Sequence, residues 1–219
     1  RTGRRGMWFG RMSADPIAGV VLAGGLSRRM GGGDKGLLPL GGVPLLRRVI
    51  DRIAPQVETL ALNANGDADR FAAYGLPVVH DSVADYPGPL AGVLAGMDWA
   101  AERGIGQVVS VAADTPFFPE RLVTALRMGA VSAETPLAMA VTEEAGRIIR
   151  HPTFALWSVE LREELRAALA HGVRKVVFWT DRHGCAEVVF HGQDLDPFFN
   201  VNTPEDMLRA QALIDTATA

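Results

Sequence analysis

Short apolar runs alternate along the chain with stretches in which apolar residues recur every three or four positions. The runs over residues 17–22, 59–63, 77–80, 108–112, 137–141, 152–156 and 186–190 have strand length and are bounded by turn-forming residues. Between them, residues 44–54, 68–74, 89–103 and 119–128 carry helical patterns. In the third of these, Leu90, Val93, Leu94, Met97 and Ala101 fall at helical spacing. This alternation predicts a mostly parallel sheet covered by helices on both faces, an α/β domain of Rossmann-like, three-layer build.

The second half is less regular. Residues 159–171 read as a helix with Leu161, Leu165 and Leu169 on one face, and residues 174–181 fit either helix or strand. The charges of "LREELRAALAHGVRK" read as a solvated helix face with i,i+4 pairs. A last helix has a clear start, with Thr203 as N-cap, Pro204 in the first turn and Asp206 placed to reach back. No repeat, low-complexity tract or linker divides the chain, so residues 16–219 read as one domain. Residues 1–15 contain Arg4-Arg5 without a following apolar run and read as a tag remnant or mobile tail with no role.

Composition narrows the classes of function. A chain of 219 residues buries roughly 70–75% of its unfolded surface, so neither a disulfide nor a structural metal is needed. A net charge of −3 leaves no electrostatic footprint for nucleic acid or an anionic membrane, and no apolar run reaches the ~18 residues of a span. Nothing marks a large apolar interface, which fits a monomer or weak oligomer. The single cysteine, Cys185, has no internal partner, fits a reducing cytoplasm and reads as a bystander.

The densest chemistry lies in "VLAGGLSRRMGGGDKGLLPLGG", residues 21–42, which holds eight of the chain's 24 glycines. Formally, residues 31–36 match GxGxxG. A dinucleotide-binding turn comes directly after its strand and opens a helix, whereas Gly31 stands nine positions after Leu22 and Pro39 would break a helix opened there. A Walker A loop needs Ser or Thr after its lysine, and residue 36 is Gly. What remains is physical. A strand ends in Ala23-Gly24-Gly25, where missing side chains let backbone N–H groups approach a ligand. In parallel sheets, the loops at carboxyl ends line the binding crevice. Arg28, Arg29 and Lys35 supply charge for phosphate, and Lys35 is one of only two lysines against 20 arginines.

"LAGGLSRRMGGGDKGLLPLGGVPLL" resembles the signature of molybdenum cofactor guanylyltransferases, which make molybdopterin guanine dinucleotide from GTP and molybdopterin. "NAN" (63–65), "DSVADYPGPLAGVLAGM" (81–97), "ADTPFFP" (113–119), "HPTFALW" (151–157) and "FNVNTPEDM" (199–207) resemble family segments in the family's order. The resemblance spans residues 17–210, and Gly33 departs from it by standing where relatives carry a larger residue.

The resemblance implies a nucleotidyltransferase fold and reaction. The terminal phosphate of molybdopterin attacks the α-phosphorus of GTP and pyrophosphate leaves. The nucleophile is already anionic, so the work falls to Mg²⁺ (with Mn²⁺ as an alternative), Lys and Arg rather than to covalent catalysis. Lys35, Arg29 and Asp114 are then the catalytic candidates. Asp114 follows the apolar run 108–112 and suits Mg²⁺, which takes one or two carboxylates plus waters and phosphates. Leu22, Ala23, Gly24, Gly25, Lys35, Asn63, Asp81 and Asp114 resemble nucleotide-binding positions, and Asn200 and Asn202 resemble positions near the molybdopterin. The "YPGPLAG" segment from Tyr86 to Gly92 shapes a turn beside the nucleophile's path. Cofactor-delivery proteins and apo-molybdoenzymes are the implied protein partners. The alternatives left open are cytidylyl transfer to molybdopterin, transfer to a sugar or isoprenoid phosphate, and a non-catalytic nucleotide-binding module. A pure binding module has no need of a metal carboxylate over the α-phosphate, which Asp114 together with Lys35 would supply.

Overall fold

A computed structural model of the protein describes residues 15–24, 34–83, 88–192 and 196–218. The strands are β1 (Ile17–Leu22), β2 (Pro39–Leu40), β3 (Val43–Pro44), β4 (Thr59–Asn63), β5 (Val78–Val79), β6 (Gln107–Ala112), β7 (Leu137–Glu144), β8 (Arg147–Ser158) and β9 (Cys185–Val189). The helices are α1 (Leu45–Ile53), α2 (Pro89–Ala101), α3 (Leu122–Ser132), α4 (Arg162–Ala170), α5 (Val176–His183) and α6 (Pro204–Thr218).

Among the described residues a seven-stranded sheet runs in the order β5-β4-β1-β6-β8-β7-β9. β5, β4, β1 and β6 pair parallel, as do β7 and β9, while β8 is antiparallel to both β6 and β7. Successive side chains of the central strands enter different cores. Ile17, Val21, Leu60, Leu62, Val109 and Val111 pack with the apolar stripes of α1 and α3. Ala18, Val20, Ala61 and Val108 pack with α2, α4 and α5 on the opposite face. Burial on both faces is why these strands read as unbroken apolar runs. Helix α2 is buried along Leu90–Ala100 because it lies between the sheet and α4. A Cβ at Gly96 would come 2.9 Å from Val20 Cγ1, so the missing side chain lets α2 seat directly on β1.

The sheet and its layers match the expected architecture, with several elements corrected. The fourth helical pattern, expected at 119–128, begins at Leu122, since Pro119 accepts the Leu122 N–H at 3.1 Å in a preceding turn. The segment at 174–181, which fitted either helix or strand, is helical from Val176 onward, within α5. The strand expected at 152–156 extends over Arg147–Ser158, because its first part forms a hairpin with β7 whose residues 143–150 are exposed; the only large apolar residues there, Ile148 and Ile149, are adjacent and break the alternation that marks a strand. The short β2–β3 hairpin was not expected at all. It closes over Gly41 and Gly42, both at positive φ (61° and 75°), the conformation that a two-residue hairpin loop requires. The 68–74 helix is 3₁₀ in form and ends in Gly75 at φ 66°.

Helix α6 starts as the sequence indicates. Asp206 N–H donates to Thr203 Oγ1 at 3.1 Å, and Asp206 Oδ2 accepts from Asn202 N at 3.0 Å and Thr203 N at 2.9 Å. Burial raises the Asp206 pKa, but these hydrogen bonds outweigh it and hold the carboxyl below its usual value. No helix among the described residues is long and apolar enough to cross a membrane.

Candidate active site

The strand order reverses direction around β1, with β4 on one side and β6 on the other, so a crevice opens at their carboxyl ends. Register fixes what stands there. Leu22 lies opposite both Asn63 and Ala112, so the ends of three strands form one row. Ala23 N–H donates to Asn63 O at 2.8 Å, and Ala113 N–H donates to Leu22 O at 3.2 Å. These two groups of the Leu22–Ala23 segment are therefore already used in extending the ladder. Gly24 is exposed, and a Cβ there would meet nothing within 4 Å.

One end of the row carries a partly buried cation. Lys35 begins a 3₁₀ turn (Lys35–Leu37), and its ammonium donates to Asp114 Oδ2 at 2.8 Å and to Asn202 Oδ1. Thr115 Oγ1 lies within hydrogen-bond reach of Asp114 Oδ1, at 3.2 Å, and of Asn200 Oδ1, and its single proton can serve one of them at a time. The Asp114 carbonyl accepts the Val201 N–H at 2.9 Å. Residues distant in sequence thus converge, and Asn200 and Asn202 stand in the same cluster as Lys35 and Asp114. The side chains of Lys35 and Asp114 are only 14% and 26% exposed, so the pair is poorly screened by water.

The other end carries amides and a carboxylate. Asn63 is buried and donates through Nδ2 to Val79 O at 3.2 Å and to Asp81 Oδ1 at 2.9 Å. Asn65 donates to Asp81 Oδ2 at 2.7 Å and accepts the Asp81 N–H at 3.0 Å. Asp81 is therefore held on both oxygens. Asn65 and Thr115 were not singled out from sequence, although both lie in the quoted segments "NAN" and "ADTP". Gly92 of α2 faces this cluster: a Cβ there would sit 2.8 Å from Asn63 Cγ and closer still to its Oδ1.

The loop bearing Asn200 and Asn202 is anchored by Phe198. Its ring is buried and lies 4.3 Å from the ring of His151, 4.8 Å from Phe154 and 5.5 Å from Phe190. A register slip between Met139 and Ala140 makes room for it: Met139 faces Ala155 while Ala140 faces His151, so residues 152–154 leave the β7 ladder. His151 also meets Thr142 Oγ1 at 2.8 Å, and burial pushes its pKa down despite Asp196 and Glu144. It serves packing, as a histidine in a strand commonly does.

Gly25, Arg28, Arg29 and Tyr86 lie outside the described residues. The α4 charges need a correction: Arg166 pairs with Glu163 at 3.1 Å, but it also reaches Asp98 of α2 at 2.6 Å, and Asp98 accepts from Ser82 Oγ at 2.6 Å. One of those charges therefore bridges two helices and the loop after β5. Burial raises the Cys185 thiol to about 12, which keeps it protonated and unreactive. A groove of about 720 Å³ lined by Pro16, Val57, Val123, Arg127 and Met128 opens beside the start of β1, away from this crevice.

A sheet whose switch point carries a lysine–aspartate pair at one end and an amide–carboxylate cluster around the buried Asn63 at the other suits a nucleotidyltransferase domain. Comparison with known proteins agrees. Residues 19–185 match the family model of the MobA-like NTP transferase domain, and the chain belongs to that family. It is 50% identical over 208 residues to the molybdenum cofactor guanylyltransferase of Mesorhizobium japonicum, covering 93% of this chain and 98% of that one. The enzyme of the same name from Rhodopseudomonas palustris strain BisB5 is 52% identical over 197 residues, covering 89% and 92%. Among solved structures, the molybdopterin-guanine dinucleotide biosynthesis protein A of Archaeoglobus fulgidus superposes with a TM-score of 0.73, at 24% identity over 91% of this chain and 99% of that one.

Proposed function

We propose that this protein transfers GMP from GTP to molybdopterin, forming the guanine dinucleotide and releasing pyrophosphate. The observation that carries this reading is the Lys35–Asp114–Asn202 cluster, placed at the switch point in line with Asn63. In it, a phosphate oxygen of molybdopterin bonds to the α-phosphorus of GTP as the bond to the bridging oxygen breaks, and pyrophosphate departs with the electron pair. No proton has to be removed from the nucleophile, which suits a crevice whose described residues offer charge and amides.

Lys35 neutralises charge that builds on the departing phosphates, and Arg29 and Arg28 assist from the glycine loop. Asn63, Asp81 and the ends of residues 22–25 receive the nucleoside. Asn200 and Asn202, whose amides both donate and accept, receive the pterin. Among the described residues no cluster of three or more acidic, His or Cys ligands exists. Asp114 alone still fits Mg²⁺ or Mn²⁺, because such an ion takes one or two carboxylates and completes its shell with phosphates and water. When bound there, such an ion would supply positive charge to the triphosphate, with Asp114 as its protein ligand. Residues 16–219 act as a single domain, and residues 1–15 take no part.

Binding tests the choice of nucleotide. At about 100 Kd of GTP with Mg²⁺, linkage adds ~2.7 kcal/mol of stability. For a chain of this size that is a rise of roughly 5–10 °C in Tm, with none for CTP. A rise with CTP and not GTP would exclude the guanylyl reading. Gly92→Ala checks the nucleoside end. The added methyl displaces Asn63 from Val79 and Asp81, so KM for GTP is expected to rise about tenfold, as displacement of a positioning group commonly costs a decade or more. Overpacking at this contact costs ~1–3 kcal/mol, of which helix propensity returns up to about 1. Unchanged kinetics in that variant would remove Asn63 from the nucleotide site.

A further inference from the structure

Asp34 and Arg70 have no part in the chemistry derived above, yet their contacts join its two ends. Arg70 lies on the 3₁₀ segment Ala68–Tyr74, beyond the loop after β4. Its Nε lies against Asp34 Oδ2 as an ion pair rather than a directed hydrogen bond. Its two Nη atoms donate to the carbonyls of Asp67 and Asn65, the latter at 2.7 Å. The guanidinium is 4.6 Å from the centroid of the buried Phe71 ring, which braces it from one side. With side-chain exposures of 26% for Arg70 and 18% for Asp34, the pair is largely shielded from water.

Each contact falls beside a site residue. Asp34 immediately precedes Lys35, whose ammonium reaches Asp114. Asn65, whose carbonyl Arg70 holds, clamps Asp81 through both of its amide atoms. Polar contacts therefore run from Asp34, the backbone neighbour of Lys35, through Arg70, Asn65 and Asp81 to Asn63. Gly66, at φ 82°, turns the backbone between the two carbonyls, and a Cβ there would come 3.4 Å from Arg70 Nη1. A lysine could keep the charge pair, but only a guanidinium fork reaches a carboxylate and two carbonyls together.

We infer that Arg70 is a positioning residue: it fixes the spacing between the phosphate end of the nucleotide site at Lys35 and the nucleoside end at Asn63, Asn65 and Asp81. The inference rests on the reading of the crevice as a GTP site. A ligand that spans both ends gains from a preset spacing, whereas one that occupies a single end does not.

The test uses the full chain and three probes with Mg²⁺: GTP, GMP for the nucleoside end and pyrophosphate for the phosphate end. Arg70→Met is expected to weaken GTP binding about tenfold while the GMP and pyrophosphate constants move less than about threefold. Asp34→Ala is expected to do the same, and the double variant to be no worse than the weaker single one, as for residues acting through one contact. Arg70→Lys, which keeps the charge and the fold, is expected to lose GTP affinity by about threefold with the other two constants unchanged. It carries the test if Arg70→Met fails to fold. Unchanged GTP binding in both Arg70 variants would overturn the inference. So would a loss shared equally by all three probes, or a loss confined to GTP and pyrophosphate, which would make Arg70 a direct phosphate ligand. Failure of the wild-type chain to bind GTP would instead overturn the functional reading itself.

Discussion

Asp114→Asn is expected to keep the fold and to lose roughly 10²-fold or more in turnover, the usual consequence of removing a key electrostatic group. The substitution preserves shape. The backbone carbonyl that accepts Val201 N–H is untouched, and an amide oxygen can still accept from Thr115. What disappears is the negative charge that pairs with Lys35 at 2.8 Å and that would hold a divalent cation over the triphosphate. Lys35 would then rest on Asn202 alone. Steady-state kinetics with GTP and Mg²⁺, alongside a thermal melt, separate the two effects. Turnover should collapse while Tm shifts by only a few degrees. Full activity in the variant would take Asp114 out of the mechanism.

Phe198→Ala is expected to produce the largest loss of stability. The ring is 1% exposed and packed among His151, Phe154 and Phe190, with centroid distances between 4.3 and 5.5 Å. Truncating a buried phenylalanine costs ~3–5 kcal/mol, and aromatic pairs add about 0.5–1.5 each beyond their buried area. For a chain of this length 3–5 kcal/mol corresponds to a fall of roughly 6–20 °C in Tm. The effect should reach the chemistry, because Phe198 anchors the segment that carries Asn200 and Asn202. Below the lowered Tm, KM for molybdopterin is expected to rise more than KM for GTP. Phe198→Leu, which keeps most of the volume, should recover much of both. A Tm within a degree or two of wild type would show that the ring anchors nothing.

How much of this was legible in the sequence depended on where each residue's burial comes from. Strands β1 and β4 could be placed to the residue because both faces are buried, so the apolar run and the strand coincide. The outer part of the β7–β8 hairpin was missed because its residues are exposed and do not alternate, and β2–β3 because two-residue strands, each with a Pro and joined by Gly41-Gly42, leave no periodicity. Helix α5 stayed ambiguous because Val176-Val177-Phe178-Trp179 has the composition of a strand. Only the structure shows Trp179 buried and Phe178 62% exposed, one residue apart on a helix.

The site divides in the same way. Asp114, Asn63 and Asp81 stand just after apolar runs, so their place at the carboxyl edge came from the strand pattern. The contact of Lys35 with Asn202, 167 positions away, leaves no trace in local spacing, and the resemblance to a family had to suggest that both belong to one site. The Asp34–Arg70 pair escaped notice because a charged residue on a short helical segment reads as solvated until its partner is seen.

Transfer of a guanylyl group can be followed by tracing the phosphorus. The chain is incubated with Mg²⁺, molybdopterin and GTP labelled at its α-phosphate, in parallel with CTP labelled in the same way. Label from GTP is expected to pass into molybdopterin guanine dinucleotide, with one pyrophosphate released per label transferred, and CTP is expected to give neither. Label transferred from CTP but not from GTP, or pyrophosphate released from GTP without any labelled dinucleotide, would contradict guanylyl transfer.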